Sequence, residues 1–92
     1  RDITIVPESQ QVFVEEDEII LTKLEYSLLL ELIQKRNIVL SREALLSTVW
    51  KMQDSFQDRT VDVAVKRLKE KIDPERSKNY IQSIRGVGYK FN

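Results

Sequence analysis

Between Asp58 and Ile72 the chain reads DRTVDVAVKRLKEKI, and the placing of its apolar residues leaves little choice of structure. Val61, Val65, Leu68 and Ile72 recur at i, i+4, i+7 and i+11, the spacing that gathers side chains into one stripe of an α-helix. A stripe of this kind faces a core. The outward side of the same helix carries Arg59, Val63, Lys66, Arg67 and Glu70, mainly basic with one small apolar residue among the cations. Most charged faces are merely solvated and form local pairs, here Asp62 with Lys66. A basic face interrupted by an apolar residue also suits a DNA major groove, and the rest of the chain decides between the two.

Ninety-two residues suffice for one small domain with a modest core. With no cysteine and no histidine, disulfides and thiolate metal sites are excluded, and the commonest metal ligand and general base is missing. No nucleophile and base stand at motif spacing and no glycine-rich phosphate loop occurs, so an enzyme is not expected, nor a metal or cofactor. No apolar run approaches a membrane span, and no basic-then-apolar leader opens the chain, which predicts a cytoplasmic protein without membrane contact. Arg1 in place of Met predicts a fragment of something longer.

A formal net charge of zero would count against a nucleic-acid partner if the charge were evenly spread. It is not. Residues 1–34 hold eight acidic against two basic side chains, and residues 35–92 hold thirteen basic against seven acidic. Such asymmetry between halves is a hint of nucleic-acid contact by the basic half.

Ile3 to Val6, Gln11 to Glu15 and Glu18 to Leu21 are short runs rich in Ile, Val and Phe, separated by turn-like segments, and predict a small antiparallel sheet. Its acidic turn at Glu15 to Glu18 would repel phosphate, so the sheet should face away from DNA or dock a preceding domain. Thr22 and Glu25 have the spacing of a capping box, which opens a core helix running to about Lys35, with Leu24, Leu28, Leu32 and Tyr26, Leu29, Ile33 on its apolar face. Asn37 suits the left-handed residue at a helix end, and Ser41 caps a second, shorter helix through Trp50 with Leu45, Val49 and either Leu46 or Trp50 inward. Lys51 to Gln57 lacks periodicity and reads as a loop before the basic helix. Helix, loop, basic helix is the order of a helix-turn-helix variant. Asp73-Pro74-Glu75 stops that helix, and Tyr80 to Ile84 and Tyr89 to Phe91 flank Arg85-Gly86-Val87-Gly88 as a hairpin whose glycines supply positive φ. Arg85 at its tip is of the kind that enters a minor groove.

Taken together, Asp58-Arg59-Thr60-Val61-Asp62-Val63, Arg67-Leu68 with Lys71, and Ile84-Arg85-Gly86-Val87-Gly88-Tyr89-Lys90-Phe91 resemble the DNA-binding effector domain of OmpR/PhoB-family two-component response regulators. Leu21-Thr22, Glu25-Tyr26, Leu29-Leu30, Ser41-Arg42-Glu43, Leu45-Leu46 and Val49-Trp50 extend the resemblance over essentially the whole chain. It implies an α+β winged helix-turn-helix spanning residues 1–92: an N-terminal antiparallel sheet, four-stranded in the family, three helices and a C-terminal β-hairpin wing.

The resemblance further implies a recognition helix, residues 58–72, in the major groove and a wing, residues 80–91, at the minor groove. By position, Arg59, Thr60, Val63, Ala64, Lys66, Arg67 and Lys69 would lie at or near DNA, while Trp50, Ser83, Arg85 and Gly86 would contact or position phosphate and minor groove. Arg59 is the expected guanine contact, and Val63 or Ala64 the expected thymine-methyl contact. Also implied are a loop over residues 51–57 that touches RNA polymerase, an upstream receiver domain that controls dimerisation by phosphorylation, and a second copy bound head to tail on direct-repeat half-sites. This sequence departs from the family's pattern at Arg36-Asn37, where Pro-Gly is common, at Ala64, which replaces a polar residue, and at Glu70, where a basic residue is common. The rival expectation is a winged helix whose basic face binds an acidic protein.

Overall fold

A computed structural model of the chain describes residues 3–51 and 58–92. Three strands, β1 (Ile3–Val6), β2 (Gln11–Val14) and β3 (Asp17–Ile19), form an antiparallel sheet in that order. Ile3 faces Val14 and Ile5 faces Val12 in register, so the two-residue period of a strand turns all four toward the core. The third strand begins and ends earlier than the sequence suggests, and the fourth strand implied by the resemblance is not found among the described residues. The reason is local: Thr22 is already committed to capping a helix, which leaves only Ile20 and Leu21 between the two structures.

Helix α1 (Lys23–Gln34) opens with the expected capping box. The Glu25 N–H donates to Thr22 Oγ1 at 3.1 Å, and the Thr22 N–H donates back to Glu25 Oε1 at 2.9 Å. Tyr26, Leu28, Leu29 and Leu32 are buried, whereas Leu24, expected on the same face, lies in the first turn and is exposed. Beyond the helix Asn37 takes the left-handed conformation, φ 68°, and its N–H reaches the Phe91 carbonyl at 2.8 Å, tying the helix end to the last strand.

Ser41 ends a two-residue strand, β4 (Leu40–Ser41), and at once caps α2 (Arg42–Leu45), its Oγ accepting from the Ala44 N–H at 3.0 Å. The helix then widens into a π-helical turn over Leu46–Trp50 and ends at Lys51, φ 56°. Leu45 is fully buried, and Leu46, Val49 and Trp50 all pack partly against the core. The long helix α3 (Asp58–Ile72) buries Val61, Val65, Leu68 and Ile72 as its spacing requires. Strands β5 (Ile81–Ile84) and β6 (Gly88–Phe91) form the C-terminal hairpin, and β4 pairs on the other side of β6. Sequence reading missed β4, which joins the wing to the start of α2.

Glu25 has a second duty. Its carboxylate also accepts from Lys71 Nζ at 2.6 Å, linking the start of α1 to the end of α3. Burial alone would raise its pKa, but Lys71 together with the Thr22 N–H and hydroxyl outweighs burial and holds the carboxyl below its ordinary value. A depressed folded-state pKa contributes stability above the unfolded value that is lost as pH falls through the folded value. Glu25→Gln should therefore cost about 1.5 to 3 kcal/mol at neutral pH, the range for hydrogen bonds to a charged group. The difference from the parent should shrink below about pH 4. Chemical denaturation at several pH values checks this, and a difference constant from neutral to acid would refute it.

Candidate nucleic-acid interface

Helix α3 presents two faces for one reason: its stripe is consumed by the core, and what remains must face solvent. Arg59, Val63, Lys66, Arg67 and Glu70 are all exposed, with Val63 41% accessible among the cations. Thr60 is half-buried beside them. Ala64, expected near DNA, is 9% accessible and joins the core cluster, so it presents much less surface on this helix than Val63. The buried face is wider than a strict i, i+4, i+7 stripe, and Ala64 lies at its margin.

The helix is tied to the wing. Lys69 Nζ donates to Ser83 Oγ on β5 at 3.2 Å. An open groove of about 480 Å³ runs between the two, its walls including Lys66 and Lys69 from the helix and Ser83 and Tyr89 from the hairpin. At the hairpin tip the Val87 N–H bonds to the Ile84 carbonyl at 2.9 Å, and Gly86 takes φ 76° with open space around it. Arg85 and Gly86 are exposed there, and Val87 beside them is too. Gly88 does not supply positive φ. It is buried in β6 against the backbone of Leu40 and Ser41, so close approach accounts for the glycine. Trp50, at the end of the π-helical turn, is partly buried against the core. Of the loop over residues 51–57, all but Lys51 lies outside the described residues.

Asp62 does not pair with Lys66. Its Oδ1 instead accepts from Arg42 Nε of α2 at 2.7 Å and from the Tyr89 hydroxyl of β6, while the Arg42 guanidinium lies 5.6 Å from the centre of the Tyr89 ring. Three elements meet at one carboxylate. Burial works to raise the Asp62 pKa, but the Tyr89 hydroxyl and Arg42 prevail and lower it. The counterpart is Tyr89, pushed up to about 12 by burial and by the carboxylate that its hydroxyl serves. Asp62 therefore remains ionised within a basic surface, its charge answered by Arg42 and the Tyr89 hydroxyl.

Asp73 does more than stop a helix. It is buried, and its carboxylate accepts from the N–H groups of Ser77, Lys78 and Asn79 at 2.9 to 3.2 Å, shaping the connection from α3 to the wing. An aspartate directly after a helix and before proline was the available signal. No group of three or more potential metal ligands occurs among the described residues. No helix among them is long and apolar enough to cross a membrane.

Residues 16–91 match the family described as "Transcriptional regulatory protein, C terminal". The chain is 39% identical over 90 residues to the alkaline phosphatase synthesis transcriptional regulatory protein PhoP of Bacillus subtilis, covering 97% of this chain and 38% of that protein. Among solved structures it is similar to DrrB, an OmpR/PhoB homologue of Thermotoga maritima, with 35% identity and a TM-score of 0.88 over 100% of this chain and 42% of that one. It is also similar to the Klebsiella pneumoniae RstA DNA-binding domain solved in complex with the RstA box, with 30% identity and a TM-score of 0.88 over 99% of this chain and 91% of that one. The chain spans about 40% of the length of the curated response regulators it matches.

Proposed function

Because the chain belongs to the transcriptional regulatory protein C-terminal family, a group of winged helices, we propose that it binds double-stranded DNA sequence-specifically as the output domain of a cytoplasmic two-component response regulator. The observation that carries this reading is the cationic outer face of α3 joined to the wing by the Lys69–Ser83 bond. Residues 58–72 enter the major groove and the wing, residues 80–91, reaches the adjacent minor groove. Lys66, Arg67 and Lys69 neutralise phosphates and release counterions, which gives affinity without sequence information. Arg59 and Val63 read base edges, Thr60, Trp50 and Ser83 position the backbone, and Arg85 with Gly86 follows the minor groove.

Phosphate contacts and base contacts should separate on mutation. Lys66→Ala should weaken binding to every duplex by a similar factor, whereas Arg59→Ala should cost roughly 1 to 3 kcal/mol mainly on the preferred site. Gel-shift titration at modest salt checks both, using a duplex selected from a random pool beside a scrambled one. Equal ratios of specific to nonspecific loss in the two variants would overturn the division. Binding without sequence preference by the parent chain would favour an acidic protein as the partner.

About five or six phosphate contacts give a salt slope near −5, weak for one copy at physiological salt, so two copies bind head to tail on direct repeats about one helical turn apart. The same titration on single, direct and inverted half-sites reads the stoichiometry. An upstream receiver controls this pairing, and residues 51–57 meet RNA polymerase.

A further inference from the structure

Arg42 stands where α3 meets the wing, and its guanidinium is used on one edge only. Its Nε donates to Asp62 at 2.7 Å and its plane lies over Tyr89. Beyond Asp62 and Tyr89, no described residue takes up its terminal nitrogens, and the side chain is 28% accessible. The position is defined from both sides. Asp62 shares its helical face with Arg59 and Lys66, three and four residues away. Tyr89 pairs across the hairpin with Ser83. Arg42 therefore lies on the line that joins the basic helix face to the wing.

When a helix occupies a major groove and a wing the adjacent minor groove, one phosphate backbone runs between them. We propose that Arg42 contacts that backbone, with Asp62 and Tyr89 as the positioning residues that hold its guanidinium; this rests on the DNA-binding reading above. A guanidinium carries five N–H donors in one plane, so one edge can serve a carboxylate while the other faces a phosphate. The arrangement also resolves a conflict in the surface. An ionised aspartate among cations would repel DNA, and Arg42 neutralises it while turning further donors outward. Held by the ring and the carboxylate, the side chain has little rotamer freedom left to lose on binding.

The test is the salt dependence of binding to a mixed-sequence duplex about two helical turns long, since a phosphate contact is indifferent to sequence. Three proteins are compared: the parent, Arg42→Gln, and the double variant Arg42→Gln with Asp62→Asn, all at a temperature where circular dichroism shows them folded. The double variant is decisive because it keeps the parent's net charge and leaves no orphaned carboxylate to unfold the chain. A phosphate contact predicts that its slope of log K against log salt is shallower than the parent's by about 0.9, with affinity still reduced. Parent-like slope and affinity in the double variant would mean that Arg42 only masks Asp62, and would overturn the proposal. Failure of the parent itself to bind any duplex would instead remove the DNA-binding reading.

Discussion

Gly88→Val should yield a chain that no longer folds to its native state at room temperature. A Cβ at Gly88 would lie 2.0 Å from the Leu40 carbonyl oxygen and 2.8 Å from the Leu40 carbonyl carbon and the Ser41 Cα. All three are backbone atoms, so no side chain can swing aside. Relief requires separating β6 from β4, which abandons the pairing of Leu40 with Tyr89 and Ser41 with Gly88. It also displaces Leu40 from the core and moves the residue that caps α2. Even alanine carries the offending atom, and Gly88→Ala should fail nearly as badly. Gly86→Ala is the contrast. That site is open, and only its φ of 76° opposes a side chain, at a cost of about 1 to 2 kcal/mol. Thermal melts by circular dichroism separate the two sites, and a Gly88→Ala chain melting within a few degrees of the parent would show that the strands can part cheaply.

Leu68→Ala should be the most costly truncation on α3. Leu68 is fully buried, between Val65 and Ile72 on the stripe that α3 contributes to the core. Removing its isobutyl group forfeits transfer energy and leaves a cavity, together about 2 to 5 kcal/mol. Small domains hold roughly 5 to 15 kcal/mol in all. At about 4 to 8 °C per kcal/mol for a domain of this size, the melting temperature should fall by roughly 10 °C or more. Lys66→Ala, two residues away on the exposed face, should leave the melt close to the parent's. Similar melts for all three proteins would mean that the stripe is not what anchors α3.

What could be read from the sequence was what short-range rules decide. The α3 stripe follows from helical period, and the caps at Thr22 and Ser41 follow from hydroxyls placed just before a helix. The exposed cations of the candidate interface were legible for the same reason, since fixing the buried stripe fixes its opposite. Long-range partners were not. Asp62 has Lys66 one turn ahead, the local choice, yet it is taken by Arg42 and Tyr89 from two other elements. Strand β4 is two residues long and acquires meaning only from β6 at the far end of the chain. Gly88 sits in a glycine-rich tip that suggests turn geometry, and only the nearness of Leu40 reveals its role. Ala64 is small enough to suit either side of a helix, and the width of the core settled it.

Ser41 is the last residue of β4 and the cap of α2, with nothing between strand and helix. A connection of zero length has no slack. The hairpin and the second helix are thus geared together, because a shift of β6 along its ladder drags Ser41 and with it the hydroxyl that seats the Ala44 N–H. The far end of that gear is Lys51, where the π-helical turn stops in a left-handed residue. The wing and the start of α2 are therefore joined by the β4–β6 ladder and by the peptide bond from Ser41 to Arg42, with no loop between them to absorb a displacement.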